Sequence, residues 1–132
     1  MPKVLVDTSV WIDFLRSGKS SEADVLERLA RAGQLCITEI IRVELLSGAR
    51  NEPEYRELED RLANVPLLGA PPGFWNQVAY ARFRLARMGF QASIPDVCIA
   101  VLARAYGCSL LTLDRQFNFI KKAVPLKFYS VR

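Results

Sequence analysis

"KVLVDTSVWIDFL", residues 3–15, is the stretch that decides the fold. Val4-Leu5-Val6 reads as a short buried strand, and from Ser9 to Arg16 the apolar residues Val10, Trp11 and Phe14 return at helical spacing. A strand that hands over at once to a helix is the opening of a βα unit. Asp7 stands at the handover, where it either caps the helix or belongs to a set of carboxylates that the fold gathers at one point.

The same alternation runs outward along the chain. Ser20 and Ser21 are N-cap candidates before "EADVLERLARAG", whose Val25, Leu26 and Leu29 make one apolar face and whose Gly33 is a stop signal. "LCIT", 35–38, is the next strand, and Thr38 is placed to cap "EIIRVELLSGAR", a helix ending near Gly48. "PEYRELEDRLANV" begins with Pro53 in a first helical turn and carries Glu/Arg pairs three and four apart, the pattern of an exposed helix. "VPLLG" is a short strand or extended segment and "APPG" a breaker. A long helix, Phe74–Met88, places Phe74, Val78, Ala81, Leu85 and Met88 on one stripe and Arg84 and Arg87 on another. "SIPDVCIAVLARAYG", 93–107, starts with the helix signals Ser93 and Pro95 and is apolar nearly all round, so that helix is central. "CSLLTLD", 108–114, is a buried strand ending on an aspartate; "RQFNFIKKA" is a turn or short helix and "PLKFYSV" a last strand. Strands separated by helices predict an α/β fold, a parallel sheet with helices on both faces joined by right-handed crossovers.

Length and composition narrow the choice. A chain of 132 residues suits one core, and no linker or repeat divides it, so residues 1–132 are expected to form a single domain. No run approaches the ~18 uncharged residues of a membrane span, and Val4-Leu5-Val6 is too short for a signal peptide, which makes the cytoplasm the expected location. Cys36, Cys98 and Cys108 lie in apolar runs without paired spacing and read as buried thiols. With no histidine, a zinc site and any imidazole-based acid/base or nucleophile mechanism are improbable. The net charge of +4, supplied mainly by arginine, with Lys121, Lys122, Lys127 and Arg132 near the C-terminus, points to an acidic partner such as nucleic acid.

In an open parallel sheet, ligands bind outside the carboxyl ends of the strands. Asp7 and Asp114 both sit at strand ends. Asp96 lies in the first turn of the helix that runs back to feed the strand before Asp114, so it faces the same edge. Glu44 follows Ile40 by four residues and Ile41 by three, on a face where a solvated glutamate is not expected. Each aspartate has a local alternative: Asp7 as a cap, Asp96 in a Ser93-x-x-Asp96 capping box, Asp114 as the cap of the turn before Phe117; for Glu44 the alternative is pairing with Arg42 or another arginine. If all four converge, their mutual repulsion calls for a cation. An all-oxygen ligand set selects Mg²⁺ or Mn²⁺, which activates water and offsets charge in phosphodiester hydrolysis.

"VLVDTSVWIDFL", "TEIIRVELLSG", "IPDVCIAVLARAYG" and "SLLTLDRQF", in this order, resemble the PIN domain, specifically the VapC-type ribonuclease toxins of toxin–antitoxin pairs, over essentially the whole chain. That family's acidic quartet falls on Asp7, Glu44, Asp96 and Asp114. The resemblance implies an α/β/α sandwich, Mg²⁺- or Mn²⁺-dependent endonuclease action on RNA, inhibition by a small VapB-type antitoxin, and a homodimer. Ser9 and Thr112 match hydroxyl positions that support the site in the family, or else make local cap and turn bonds. Trp11 and Phe14 are candidates for antitoxin contact or for core packing. Arg84, Arg87, Arg115, Lys121 and Lys122 are candidate RNA contacts or a solvated basic face. A PIN-like module that binds RNA or protein without cutting it is the alternative function. A phospho-accepting receiver domain is set aside, because it needs an acidic pair at the first strand end and Asp7 is followed there by Thr8.

Overall fold

The computed structural model describes residues 3–16 and 21–131. Its elements follow in the order β1 (Val4–Val6), α1 (Thr8–Arg16), α2 (Ser21–Arg31), β2 (Leu35–Thr38), α3 (Glu39–Ser47), α4 (Glu52–Leu62), β3 (Leu67–Leu68), α5 (Phe74–Arg87), α6 (Ile94–Ala105), β4 (Ser109–Leu111), α7 (Phe117–Ile120) and β5 (Lys127–Phe128). The five strands form one sheet in the order β3-β2-β1-β4-β5, with every pairing parallel. This is the α/β architecture expected from the alternation. Ser20 and Arg132 lie outside the described residues.

The centre of the sheet is where the chain is most apolar. Val4, Leu5 and Val6 are all buried, as a strand covered on both faces must be. In α6 the seven residues Val97–Ala103 are buried in succession, which accounts for its lack of a polar face. The edge strands β3 and β5 have two residues each, too short to invite further pairing.

Helix ends are set by local chemistry and aim the elements at the sheet. Thr38 Oγ1 accepts from the Ile41 amide at 3.1 Å and starts α3, and Ser93 Oγ accepts from the Asp96 amide at 3.2 Å and starts α6. At the other end of α6, Gly107 adopts φ 64°; its amide donates to the Arg104 carbonyl and that of Cys108 to the Ala103 carbonyl. Gly33, φ 71°, closes α2 with the same pair of bonds. Only a residue without a Cβ takes this left-handed turn at little cost, and it returns the chain from helix to strand at once. Because α6 therefore runs antiparallel to β4, its N-terminus lies at the carboxyl edge of the sheet.

Three boundaries differ from the pattern reading. Met88 is 50% exposed rather than the fifth residue of the α5 stripe, because the helix ends at Arg87 and the chain turns away through Gly89. Strand β4 stops at Leu111, so Asp114 sits in the turn beyond it rather than on its last residue. The last strand is confined to Lys127–Phe128.

Candidate active site

Asp7 extends the β1–β4 ladder one rung past the strand: its amide donates to the Leu111 carbonyl at 2.9 Å. Its own carbonyl accepts from the amides of Val10 and Trp11, so Asp7 is also the residue from which α1 starts. Capping and membership of a site are thus compatible in one residue. The side chain is buried, and its Oδ2 accepts from Ser9 Oγ at 2.9 Å and from Thr112 Oγ1 at 2.8 Å. Burial pushes this carboxyl above its usual range, while the hydroxyls of Thr112 and Ser9 and the amides of Thr8 and Ser9 favour the charged form.

The same two hydroxyls fold the turn after β4 over the site. Ser9 Oγ accepts from the Leu113 amide at 3.1 Å, and Thr112 Oγ1 accepts from the Asp114 amide at 2.9 Å. Asp114 Oδ1 then accepts from the Gln116 amide at 2.9 Å, the local turn bond anticipated for it. Asp96, in the first turn of α6, is half-buried. Its carboxyl is raised by burial and further by the charges of Asp7, Asp114 and Glu44, against an opposing hydrogen bond from Ser93. The other three carboxylates of the quartet therefore act on Asp96 through space.

Glu44 departs from expectation. It is exposed, on the flank of the arc that buries Ile41 and Leu45. Its Oε1 accepts from Thr8 Oγ1 at 2.7 Å, and Arg42 faces Glu59 at 4.0 Å. Thr8 was not singled out in the sequence; the available signal was a hydroxyl at the first residue of α1, directly after Asp7. Trp11 is 5% exposed and Phe14 is half-buried against the core, so both pack inward, while the exposed apolar residues of α1 are Ile12 and Leu15. These two line a groove of about 450 Å³ with Leu45 and Leu58, flanked by Arg16 and Arg50 and bordered by Glu44. Arg84, Arg87, Arg115, Lys121 and Lys122 are all exposed and enter no ion pair among the described residues.

The donor set fits a hard divalent cation in its chemistry: four carboxylates, one of them buried, with hydroxyl support and no nitrogen or sulfur. Among the described residues, no three acidic side chains stand close enough to hold one ion as they lie. Ligation by the quartet thus needs side-chain rotation or bridging waters, and Glu44, on an exposed helix surface, has the room to move.

A family model described as the PIN domain matches residues 4–123. Ribonuclease VapC11 of Mycobacterium tuberculosis is 30% identical over 98% of this chain and 99% of its own length, and Ribonuclease VapC51 of the same organism is 30% identical over 89% and 85%. Among solved structures, DNA-bound VapBC from Salmonella typhimurium matches with a TM-score of 0.78 at 22% identity, covering 100% of both chains. At that identity the likeness is one of fold.

Proposed function

The chain belongs to the PIN-domain family, and we propose that residues 1–132 form a single such domain acting as a metal-dependent endoribonuclease, a toxin of the VapC kind silenced by a cognate antitoxin. The observation that carries this reading is the gathering of carboxylates at one sheet edge: Asp7 is buried and tied by Ser9 and Thr112, whose hydroxyls also hold the turn with Asp114, and Asp96 at the start of α6 is raised by burial and further by the charges of Asp7, Asp114 and Glu44. An arrangement that penalises its own ionisation is explained if a cation offsets it. The relatives are named as ribonucleases, and RNA is the substrate we assign.

Asp7, Asp96, Glu44 and Asp114 would hold Mg²⁺ or Mn²⁺. When bound, such an ion supplies Lewis acidity, favouring deprotonation of the attacking water and offsetting charge on the phosphate. Ser9 and Thr112 keep the Asp7 carboxylate in one orientation and hold the 112–114 turn against it. Thr8 keeps Glu44 at the open side of the site. With no histidine in the chain, the proton of the attacking water leaves to a carboxylate of the quartet or to solvent. Attack on phosphorus with departure of the 3′ oxygen yields one fragment with a 5′-phosphate and one with a 3′-hydroxyl, and the 2′-hydroxyl is not used as a nucleophile.

The apolar groove along Ile12, Leu15, Leu45 and Leu58 suits an antitoxin segment that buries apolar side chains there. From the groove, an arginine of that segment reaches the carboxylates across Glu44. We further propose a homodimer and action in the cytoplasm; among the described residues no helix is long and apolar enough to cross a membrane. The test is analysis of fragment ends after incubation with RNA and Mg²⁺. The reading expects 5′-phosphate and 3′-hydroxyl ends and no cleavage in excess chelator. Fragments ending in a 2′,3′-cyclic phosphate, or cleavage that persists in chelator, would overturn it.

A further inference from the structure

Charge is divided very unevenly along this chain. Up to Asp60 it carries twelve Asp and Glu against eight Lys and Arg; from Arg61 onward it carries ten Lys and Arg against two acidic residues, Asp96 and Asp114, both of which belong to the candidate site. Ion pairs end one residue past this division. Those among the described residues join Arg31, Arg42, Arg50, Arg56 and Arg61 to glutamates between Glu27 and Glu59. Past Arg61 no described cation enters one.

Three of the unpaired cations are held over aromatic rings instead. The Arg87 guanidinium lies 5.9 Å from the Phe83 ring centre, Lys121 Nζ 5.6 Å from that of Phe128, and Lys122 Nζ 5.4 Å from that of Phe119. A ring restrains a cation without neutralising it, so the full charge stays available and less side-chain freedom is lost when an anion arrives. The rings are themselves exposed, Phe83 by 57% and Phe119 by 48%. Phe119 stacks on Phe90 at 4.9 Å and 19°. That pair adjoins the candidate site through the chain: Phe90 precedes the start of α6 that carries Asp96, and Phe119 lies on α7 just after Asp114.

We propose that Arg87, Lys121 and Lys122, with the Phe90–Phe119 stack, form a track for single-stranded RNA that leads away from the four carboxylates. Unpaired cations meet phosphates, and exposed rings meet unstacked bases, the combination that single-strand binding uses. Two copies of a segment that carries no carboxylate beyond Asp96 and Asp114 repel each other, which favours a polyanion over a second copy of this chain as its occupant. The choice of RNA over another single-stranded polyanion rests on the ribonuclease reading.

The experiment measures binding of labelled oligouridylates, about 15 and about 4 nucleotides long, to the full chain in excess chelator as salt is varied. For Lys121→Ala/Lys122→Ala we expect at least a tenfold loss of affinity for the long oligonucleotide, a smaller loss for the short one, and a fall in the salt slope of about 1.4. Phe119→Leu should weaken the long oligonucleotide about fivefold or more with the slope unchanged, as loss of a stacking ring does. Arg56→Ala, on the opposite half, should leave binding unchanged. Unaltered affinity in the double lysine variant, or an equal loss in Arg56→Ala, overturns the track. So does sedimentation showing that the lysine variant loses self-association while RNA binding is intact. If the parent binds RNA with the expected slope yet never cuts it with Mg²⁺, the ribonuclease reading falls and the track stands; if it cuts and the lysine variant binds normally, the track alone falls.

Discussion

The candidate site has a closed side and an open side. On the closed side, at the ends of β1 and β4, Asp7 is buried and tied by two hydroxyls that also hold the neighbouring turn. On the open side, Glu44 projects from α3 into solvent with the Thr8 hydroxyl on its carboxylate. Asp96 feels the charge of both. Backbone hydrogen bonds of the sheet set the closed side to within a rung of the ladder, whereas the open side is set by one exposed side-chain bond. Precision should therefore reside in Asp7 and adaptability in Glu44, and substitutions on the two sides should differ in size.

The largest effect is expected at Asp96, on which the charges of both sides act. Asp96→Asn leaves Ser93 capping the residue-96 backbone amide but removes a proposed ligand charge, and cleavage should fall at least about a hundredfold. On the closed side, Thr112→Val removes a hydroxyl that serves Asp7 and the Asp114 amide together, and cation affinity, read by Mn²⁺ titration, should drop by about 10- to 100-fold. On the open side, Thr8→Val removes the bond to Glu44 at nearly constant shape. Because an exposed hydrogen bond contributes about 1 kcal/mol, the loss of affinity should be about fivefold and recovered by Thr8→Ser. Equal effects from the Thr112 and Thr8 variants would erase the distinction between the two sides.

The smallest effect is one of stability. Burial raises Asp7, and burial with neighbouring charge raises Asp96, above the ordinary value of 3.8. The folded chain then holds these protons at a pH where the unfolded chain has released them. In the metal-free protein their contribution to stability is fully present below 3.8 and is lost as pH rises through the raised values. Thermal unfolding in chelator should accordingly find Asp7→Asn at least as stable as the parent near neutral pH. That difference should shrink as the pH is lowered toward 4. A variant less stable than the parent at neutral pH would mean that the Asp7 charge is satisfied by the protein alone.

How far the site was legible follows the same two sides. Asp7, Asp96 and the turn holding Asp114 were placed at one edge by apolar runs that end there and by Ser93, a cap that can be read one residue at a time. Ser9 and Thr112, placed by resemblance, took up hydrogen bonds to Asp7. Glu44 was assigned to the right helix and the wrong environment: spacing of three and four from Ile41 and Ile40 defines a face only to within a residue's width, and Glu44 falls on its rim. Trp11 and Ile12 show the same difficulty on α1, which is apolar over much of its circumference, so periodicity could not say which arc the sheet covers. The Thr8–Glu44 bond joins residues 36 apart and has no local signature. The division of charge at residue 60 is plain in the sequence, but only the structure shows that, among the described residues, every ion pair is made by Arg31, Arg42, Arg50, Arg56 or Arg61 and none by a cation beyond Arg61.

The central claim is that the Asp7 carboxylate serves a cation, with helix capping secondary. Asn caps a helix about as well as Asp and can still accept from Ser9 and Thr112, so Asp7→Asn removes the charge and little else. The decisive measurement is cleavage of end-labelled RNA by the Asp7→Asn chain beside the parent at saturating Mg²⁺. The account predicts fragments from the parent and none from a variant that is folded; undiminished cleavage by Asp7→Asn would contradict it.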